Sequence, residues 1–245
     1  MESPVRLNGS VPPGRRVYAV GDVHGRIDLL RRLNARIRAD AEEVQADSYV
    51  VVYLGDYVDR GGHSRDVLDC LIEDPIPGFE TISILGNHEA FLLEFLDNPG
   101  RGNVWIFNGG DTTLRNYGID VGDLEFHAGG WEWLRDRFLE SLPERHLDFL
   151  RNLPLMHVEG DYVFVHAGIR PNVPLEKQER QDLLWIREGF LDCEDDLGKV
   201  VVHGHTPFKE IQVRSNRIGI DTGAWMSDTL TCVVLHDSEH AFIQT

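Results

Sequence analysis

A short apolar run that stops at a glycine and leads into a helical pattern occurs three times before residue 97. Val17-Tyr18-Ala19-Val20 stops at Gly21, and Ile27, Leu30, Leu33 and Ile37 follow at helical spacing with arginines on the other face. Residues 49–54 stop at Gly55 and lead into a helical pattern over 64–72. Residues 81–85 stop at Gly86 and lead into one over 88–96. Brief apolar runs closed by turn residues read as buried strands, and a period of 3.6 reads as an amphipathic helix. Alternating the two specifies an α/β fold with a parallel sheet and right-handed crossovers. Ligands in such sheets sit beyond the carboxyl ends of the strands, and all three glycine turns fall at that end.

The rest of the chain changes character. Residues 98–152 carry the Gly/Asn-rich turns Asn98-Pro99-Gly100 and Asn108-Gly109-Gly110, with helical patterns over 131–139 and 143–150. They read as a mostly helical cap insertion in which Trp105, Tyr117, Trp131 and Trp133 either line a groove or pack the segment's own core. Strand patterns return at 162–165, 199–202, 211–213, 217–220, 230–235 and 241–243, enough for a second sheet packed on the first. Residues 1–15 are aperiodic and read as a loose arm on a single domain spanning 1–245.

Charge narrows the function. The chain carries a formal charge of −17, which repels nucleic-acid phosphate and excludes a general nucleic-acid binder. The same field repels phosphorylated substrates, so an enzyme acting on phosphate needs a local positive centre. No run approaches the ~18 apolar residues of a membrane span, and the N-terminus lacks a signal-peptide pattern. Cys70, Cys193 and Cys232 are odd in number and form no CxxC pair, as expected of reduced thiols. A cytoplasmic monomer is the expectation, with no membrane and no nucleic-acid partner.

The strand ends carry the chemistry. The first three read Gly21-Asp22-Val23-His24-Gly25, Gly55-Asp56-Tyr57-Val58-Asp59-Arg60-Gly61 and Gly86-Asn87-His88-Glu89. Two later ones read His166-Ala167-Gly168 and His203-Gly204-His205-Thr206-Pro207. Any one of these is weak, because a lone Asp-x-His is more often a turn and a lone strand histidine is usually a core residue. Five together are not weak. Asp22 and Asp56 converging at one sheet edge would cost several kcal/mol each as unpaired buried charges, and divalent cations turn that repulsion into ligation. Asp, Asn and His donors without cysteine suit Mn, Fe or Zn in a reactive site, not a structural zinc.

The order Gly-Asp-Val-His-Gly, Gly-Asp-Tyr-Val-Asp-Arg-Gly, Gly-Asn-His-Glu resembles the phosphoprotein phosphatase family of calcineurin-like metallophosphoesterases, in its bacterial and phage-type form. His166-Ala167-Gly168 and Gly204-His205-Thr206-Pro207 resemble its later histidine motifs, and the likeness runs from Val17 to Trp225. It implies a two-sheet β-sandwich flanked by helices and two divalent ions, with manganese expected and iron or zinc as alternatives. It implies Asp22 and His24 on one ion, Asp56 between both, and Asn87, His166 and His205 on the other. His88 is then the general acid oriented by Asp59, with Arg60, Arg187 and Asn87 at the substrate phosphate.

His203 is expected to point the same way as His205 and to support it. His63, His127, His146, His157, His236 and His240 are expected to be structural or surface residues. The implied activity is serine/threonine protein phosphatase, hydrolysing phosphomonoesters by direct attack of a metal-held water. One alternative is a dinucleoside polyphosphate hydrolase, such as one cleaving diadenosine tetraphosphate symmetrically. Another is an inactive module that binds phosphorylated partners.

Overall fold

The computed structural model describes residue 7 and residues 9–122 and 129–245. The first sheet is built from β1 (Arg15–Val20), β2 (Ser48–Tyr53), β3 (Phe79–Ser83), β9 (Thr231–His236) and β10 (Glu239–Gln244), in the order β10-β9-β1-β2-β3. The second contains β4 (Met156–Glu159), β5 (Tyr162–Val165), β6 (Val200–His203), β7 (Gln212–Val213) and β8 (Arg217–Gly219), in the order β4-β5-β6-β8-β7. Strands β1, β2 and β3 are mutually parallel, as are β5, β6 and β8. Each sheet therefore sends several carboxyl ends to one edge.

The period-2 pattern decides which side chain meets which layer. Val17 and Ala19 of β1, Val50 and Val52 of β2, and Val233 and Leu235 of β9 face Tyr162, Phe164, Val200, Val202 and Ile218 across the space between the sheets. Tyr18, Val20, Val51, Tyr53, Cys232 and Val234 face the opposite way, against helices α1 (Ile27–Glu43) and α2 (Ser64–Glu73). Val163, Val165 and Val201 form a third layer with Leu183 and Phe190. Strands buried on both faces read as continuous apolar runs, which is why these were legible.

The expectation that the later strands would all form the second sheet is corrected. Strands β9 and β10 complete the first sheet, with β9 antiparallel to β1 in the register Val17↔Leu235. Both faces of β9 are apolar, so hydrophobicity fits it to a central position without naming the sheet. Strand β4 was not foreseen. It forms a hairpin with β5 through Gly160, whose φ of 59° suits a tight turn.

The segment 98–152 holds α4 (Gly102–Trp105), α5 (Asp111–Asn116), α6 (Gly130–Ser141) and α7 (Glu144–Arg151), after α3 (Asn87–Asp97). Trp105, Leu114, Tyr117, Leu134, Phe138 and Leu150 are buried in the same cluster as the helical face of the first sheet, and Trp131 and Trp133 pack against it. Trp105 and Tyr117 therefore fill core, and Trp131 and Trp133 are half-buried against it. Of the N-terminal segment, Leu7 and Val11 are buried with the inter-sheet core. His127 lies outside the described residues.

His146 of α7 is fully buried. Its Nε2 lies 2.8 Å from Asp69 of α2 and its Nδ1 2.7 Å from the Tyr117 hydroxyl. Burial lowers its pKa against the pull of Asp69, so the neutral ring donates to the carboxylate and accepts from the phenol. His146→Leu strands the Tyr117 hydroxyl, and chemical denaturation should show a loss of about 1–3 kcal/mol.

Candidate active site

Each candidate residue leaves the edge of a strand. Asp22 follows β1, Asp56 follows β2, Asn87 opens α3 just beyond β3, His166 follows β5 and His205 follows β6. The two sheets bring these five turns together. The Asn87 Oδ1 lies 2.7 Å from His166 Nε2 and 2.7 Å from His205 Nδ1. Asp56 stands between two groups: its Oδ1 is 3.4 Å from His166 Nε2, and its Oδ2 is 3.5 Å from His24 Nε2 and 3.8 Å from His88 Nε2. Asp22 joins through its carboxylate, which accepts the His205 backbone N–H at 3.1 Å. All of these side chains are buried.

The ring orientations are set from behind. His24 Nδ1 lies 2.9 Å from the Val58 carbonyl, and His166 Nδ1 lies 2.8 Å from the Leu54 carbonyl. A carbonyl only accepts, so both Nδ1 atoms carry the proton and both Nε2 lone pairs face the cluster. Burial lowers the pKa of both rings and takes His205 down to about 2, so all three are neutral donors of lone pairs. Burial, with Asp221 and Asp56 nearby, raises Asp22 well above the usual carboxylate range. Burial acts on Asp56 in the same direction, but the imidazoles of His166, His88 and His24 outweigh it and hold that pKa low.

Among the described residues neither Asp22 nor Asp56 has a lysine or arginine ion partner. Lone pairs and carboxylates converge with the Arg60 guanidinium at the His24 edge, an arrangement suited to divalent ions. Two three-residue sets have the spacing to hold one, His24-Asp56-His88 and Asp22-Asp56-His166, and they share Asp56. The donor chemistry fits the metal pair that the motifs imply.

His88 lies at the side of the cluster. Its Nδ1 is 2.7 Å from Asp59 Oδ2. Burial works against a proton on this ring, yet the Asp56 and Asp59 carboxylates outweigh it and raise its pKa above the ordinary value. Asp59 is itself held by the segment 98–152: Trp105 Nε1 donates to it at 3.0 Å and the Thr113 hydroxyl at 2.6 Å. Arg60 places NH1 3.0 Å from His24 Nε2. Arg187 is exposed just beyond α8 (Arg180–Trp185) and reaches back to Thr206 Oγ1 at 3.3 Å and to the His205 carbonyl at 3.4 Å.

The backbone around these residues is strained. Eight non-glycine residues among those described have positive φ, and His24, Asp56, Asp59, Arg60 and His205 are five of them. Side chains rarely adopt this region, and it concentrates at functional sites. Close approach constrains Gly204 too, where a Cβ would collide with the Asp22 carboxylate.

Sequence reasoning missed three things. Asp221, just past β8, is buried beside Asp22, and burial pushes its pKa up to about 6. Its setting, Asp221-Thr222-Gly223 after a strand, repeats the format of the other turns and was readable. Glu89 accepts four backbone N–H groups: Asp56 at 2.8 Å and Gly86 at 3.0 Å on Oε2, Tyr57 at 2.7 Å and Val58 at 3.2 Å on Oε1. Burial and Asp56 push its pKa up to about 8, but with two donors on each oxygen no lone pair is left for a proton, so we assign it as ionised.

The third concerns His203, which does not point with His205. As the last residue of β6 it follows the outward alternation of Val201 and packs on Phe190 at 5.1 Å, whereas the left-handed φ of His205 turns that ring inward.

Residues 15–226 match the family described as Calcineurin-like phosphoesterase. The chain belongs to that family. This phosphoesterase is 29% identical over 225 residues to Serine/threonine-protein phosphatase 2 of Escherichia coli (strain K12), covering 89% of its own length and 91% of the relative's. It is 26% identical over 234 residues to Bis(5'-nucleosyl)-tetraphosphatase PrpE [asymmetrical] of Bacillus thuringiensis (strain Al Hakam), covering 87% and 88%. A solved structure provisionally named a diadenosine tetraphosphatase superposes with a TM-score of 0.61 at 19% identity, covering 97% of this chain and 95% of that one, a likeness of fold.

Replacing Glu89 with Gln sets an amide NH2 against two backbone donors. Glu89→Gln should cost about 1.5–3 kcal/mol of stability and lower bound metal, read by denaturation and by elemental analysis of the same preparation.

Proposed function

We propose that this phosphoesterase is a dinuclear metal-dependent phosphomonoesterase acting on phosphoserine and phosphothreonine in proteins. The observation that carries the reading is Asp56, with one oxygen toward His166 and the other toward His24 and His88. The Escherichia coli serine/threonine phosphatase, similar along most of both chains, supports the substrate class.

In this reading Asp22, His24 and Asp56 would hold one ion, and Asp56, Asn87, His166 and His205 would hold the other. Manganese is the proposed metal, and the oxygen and nitrogen donors also accommodate iron or zinc. A bound pair of divalent ions supplies Lewis acidity and the positive centre that a chain of net charge −17 otherwise lacks. Arg60 and Arg187 bind the phosphoryl oxygens with planar N–H forks, and Asn87 contacts the phosphate from the metal side. His88 gives its Nε2 proton to the leaving alkoxide, while Asp59 fixes the ring through Nδ1 and favours the protonated form. Trp105 and Thr113 keep Asp59 in place. Among the described residues no helix is long and apolar enough to cross a membrane. The three cysteines are free, in keeping with a reducing cytoplasm.

A second reading keeps the chemistry and changes the substrate to a dinucleoside polyphosphate. It is favoured by the Bacillus relatives named bis(5'-nucleosyl)-tetraphosphatases, whose asymmetrical designation differs from symmetrical cleavage. Turnover of a phosphothreonine peptide against diadenosine tetraphosphate by the same metal-loaded protein separates the two. Greater kcat/KM on the dinucleotide overturns the protein-phosphatase assignment.

His88→Asn should lower kcat on an alkyl phosphate by about 10²–10⁴-fold with bound metal near normal. The loss on p-nitrophenyl phosphate, whose leaving group needs no proton, should be smaller. Full turnover of the alkyl ester by the variant removes His88 from the acid role.

A further inference from the structure

Large apolar side chains are exposed at few places among the described residues, and three of the five such residues adjoin the turns around Arg60. Trp225 and Met226, in the short helix α9 (Ala224–Ser227), are 41% and 60% exposed, and Phe107 is 91% exposed. The Arg60 guanidinium lies over the Trp225 ring, 5.5 Å from its centroid. Phe107 belongs to a kinked helical segment, Ile106–Gly110, in which Gly109 has a φ of 104° and its carbonyl accepts the Arg60 backbone N–H at 3.3 Å. The indole is held in place rather than trailing in solvent, because Arg26, next to the first candidate metal turn, donates to the Ala224 carbonyl at 3.0 Å and to Asp228 at 2.6 Å.

Burying these groups would lower the free energy, so their exposure beside a phosphate-binding arginine calls for an occupant. Because the Arg60 guanidinium lies over the indole, the substituent of an ester held by Arg60 has Trp225 within reach. A flat indole face stacks best on another flat ring. We propose that Trp225, with Met226 beside it in sequence, is a stacking platform for an aromatic ring carried by the substrate phosphate, and so extends the esters this site takes from phosphoserine and phosphothreonine to aryl or nucleoside phosphates. The proposal rests on the phosphoesterase reading with Arg60 at the phosphate, and it adds a class of esters to those that site takes.

The test compares wild type, Trp225→Ala and Trp225→Phe, all loaded with metal, on n-propyl phosphate, phenyl phosphate, phosphotyrosine and adenosine 5'-monophosphate. Trp225→Ala should lose roughly tenfold in kcat/KM on phenyl phosphate, mainly through KM, and under about threefold on n-propyl phosphate. Trp225→Phe should restore most of the difference. A parallel loss on phosphotyrosine marks a ring esterified directly, and one on the nucleotide marks a base beyond the ribose. Calorimetric binding of phenylphosphonate should weaken in Trp225→Ala while that of methylphosphonate holds. Equal losses on aryl and alkyl esters would reduce Trp225 to a support for Arg60 and overturn the platform, as would no loss on either. A wild type that turns over none of the four esters overturns the platform and the enzymatic reading together, whereas turnover without the selectivity change overturns the platform alone.

Discussion

The structure turns on a buried carboxylate held in a strained conformation by another buried carboxylate. Asp56 has positive φ, and its backbone N–H, with those of the next two residues, is taken by Glu89. Glu89 also binds the Gly86 N–H at the start of α3, so one side chain ties the turn after β2 to the turn after β3. The two sheets then bring His166 and His205 up to the same point. Loss of the Glu89 contacts would release the backbone strain at Asp56 and let its two oxygens drift from the groups they face.

The segment between α3 and β4 contributes to the site from beneath. Trp105 and Thr113 reach from its helices to Asp59, and Asp59 reaches His88, so the segment positions a ring that it does not touch. Its aromatics are built into the helical side of the first sheet, and their buried area contributes to the stability of that sheet as well as of the segment. Packing and positioning are thus carried by the same residues.

Much of this was readable in the residues. The strands β1 and β2 are buried on both faces toward their carboxyl ends, and β1, β2 and β3 each lead to a glycine within three residues, so both their existence and their polarity could be read. Asp22, His24, Asp56, Asn87, His166 and His205 stood out because each closes a strand beside a glycine. What escaped depended on pairing or rotation. The register Val17↔Leu235, which moves β9 into the first sheet, leaves no local signature. The opposite directions of His203 and His205 follow from one positive φ, which the spacing of two does not reveal. Glu89 and Trp105 act through hydrogen bonds to residues more than thirty positions away, and no local pattern records such a partner.

The placement of β9 also bears on synthesis. The strand that flanks β1 lies more than two hundred residues downstream, so the centre of the first sheet stays half open until nearly all of the chain has left the ribosome. A nascent or prematurely ended chain carries β1 with an unpaired apolar edge, the kind that templates aggregation. The folded enzyme and its truncated products should therefore have very different fates in a cell, the former persisting and the latter cleared by chaperones and proteases.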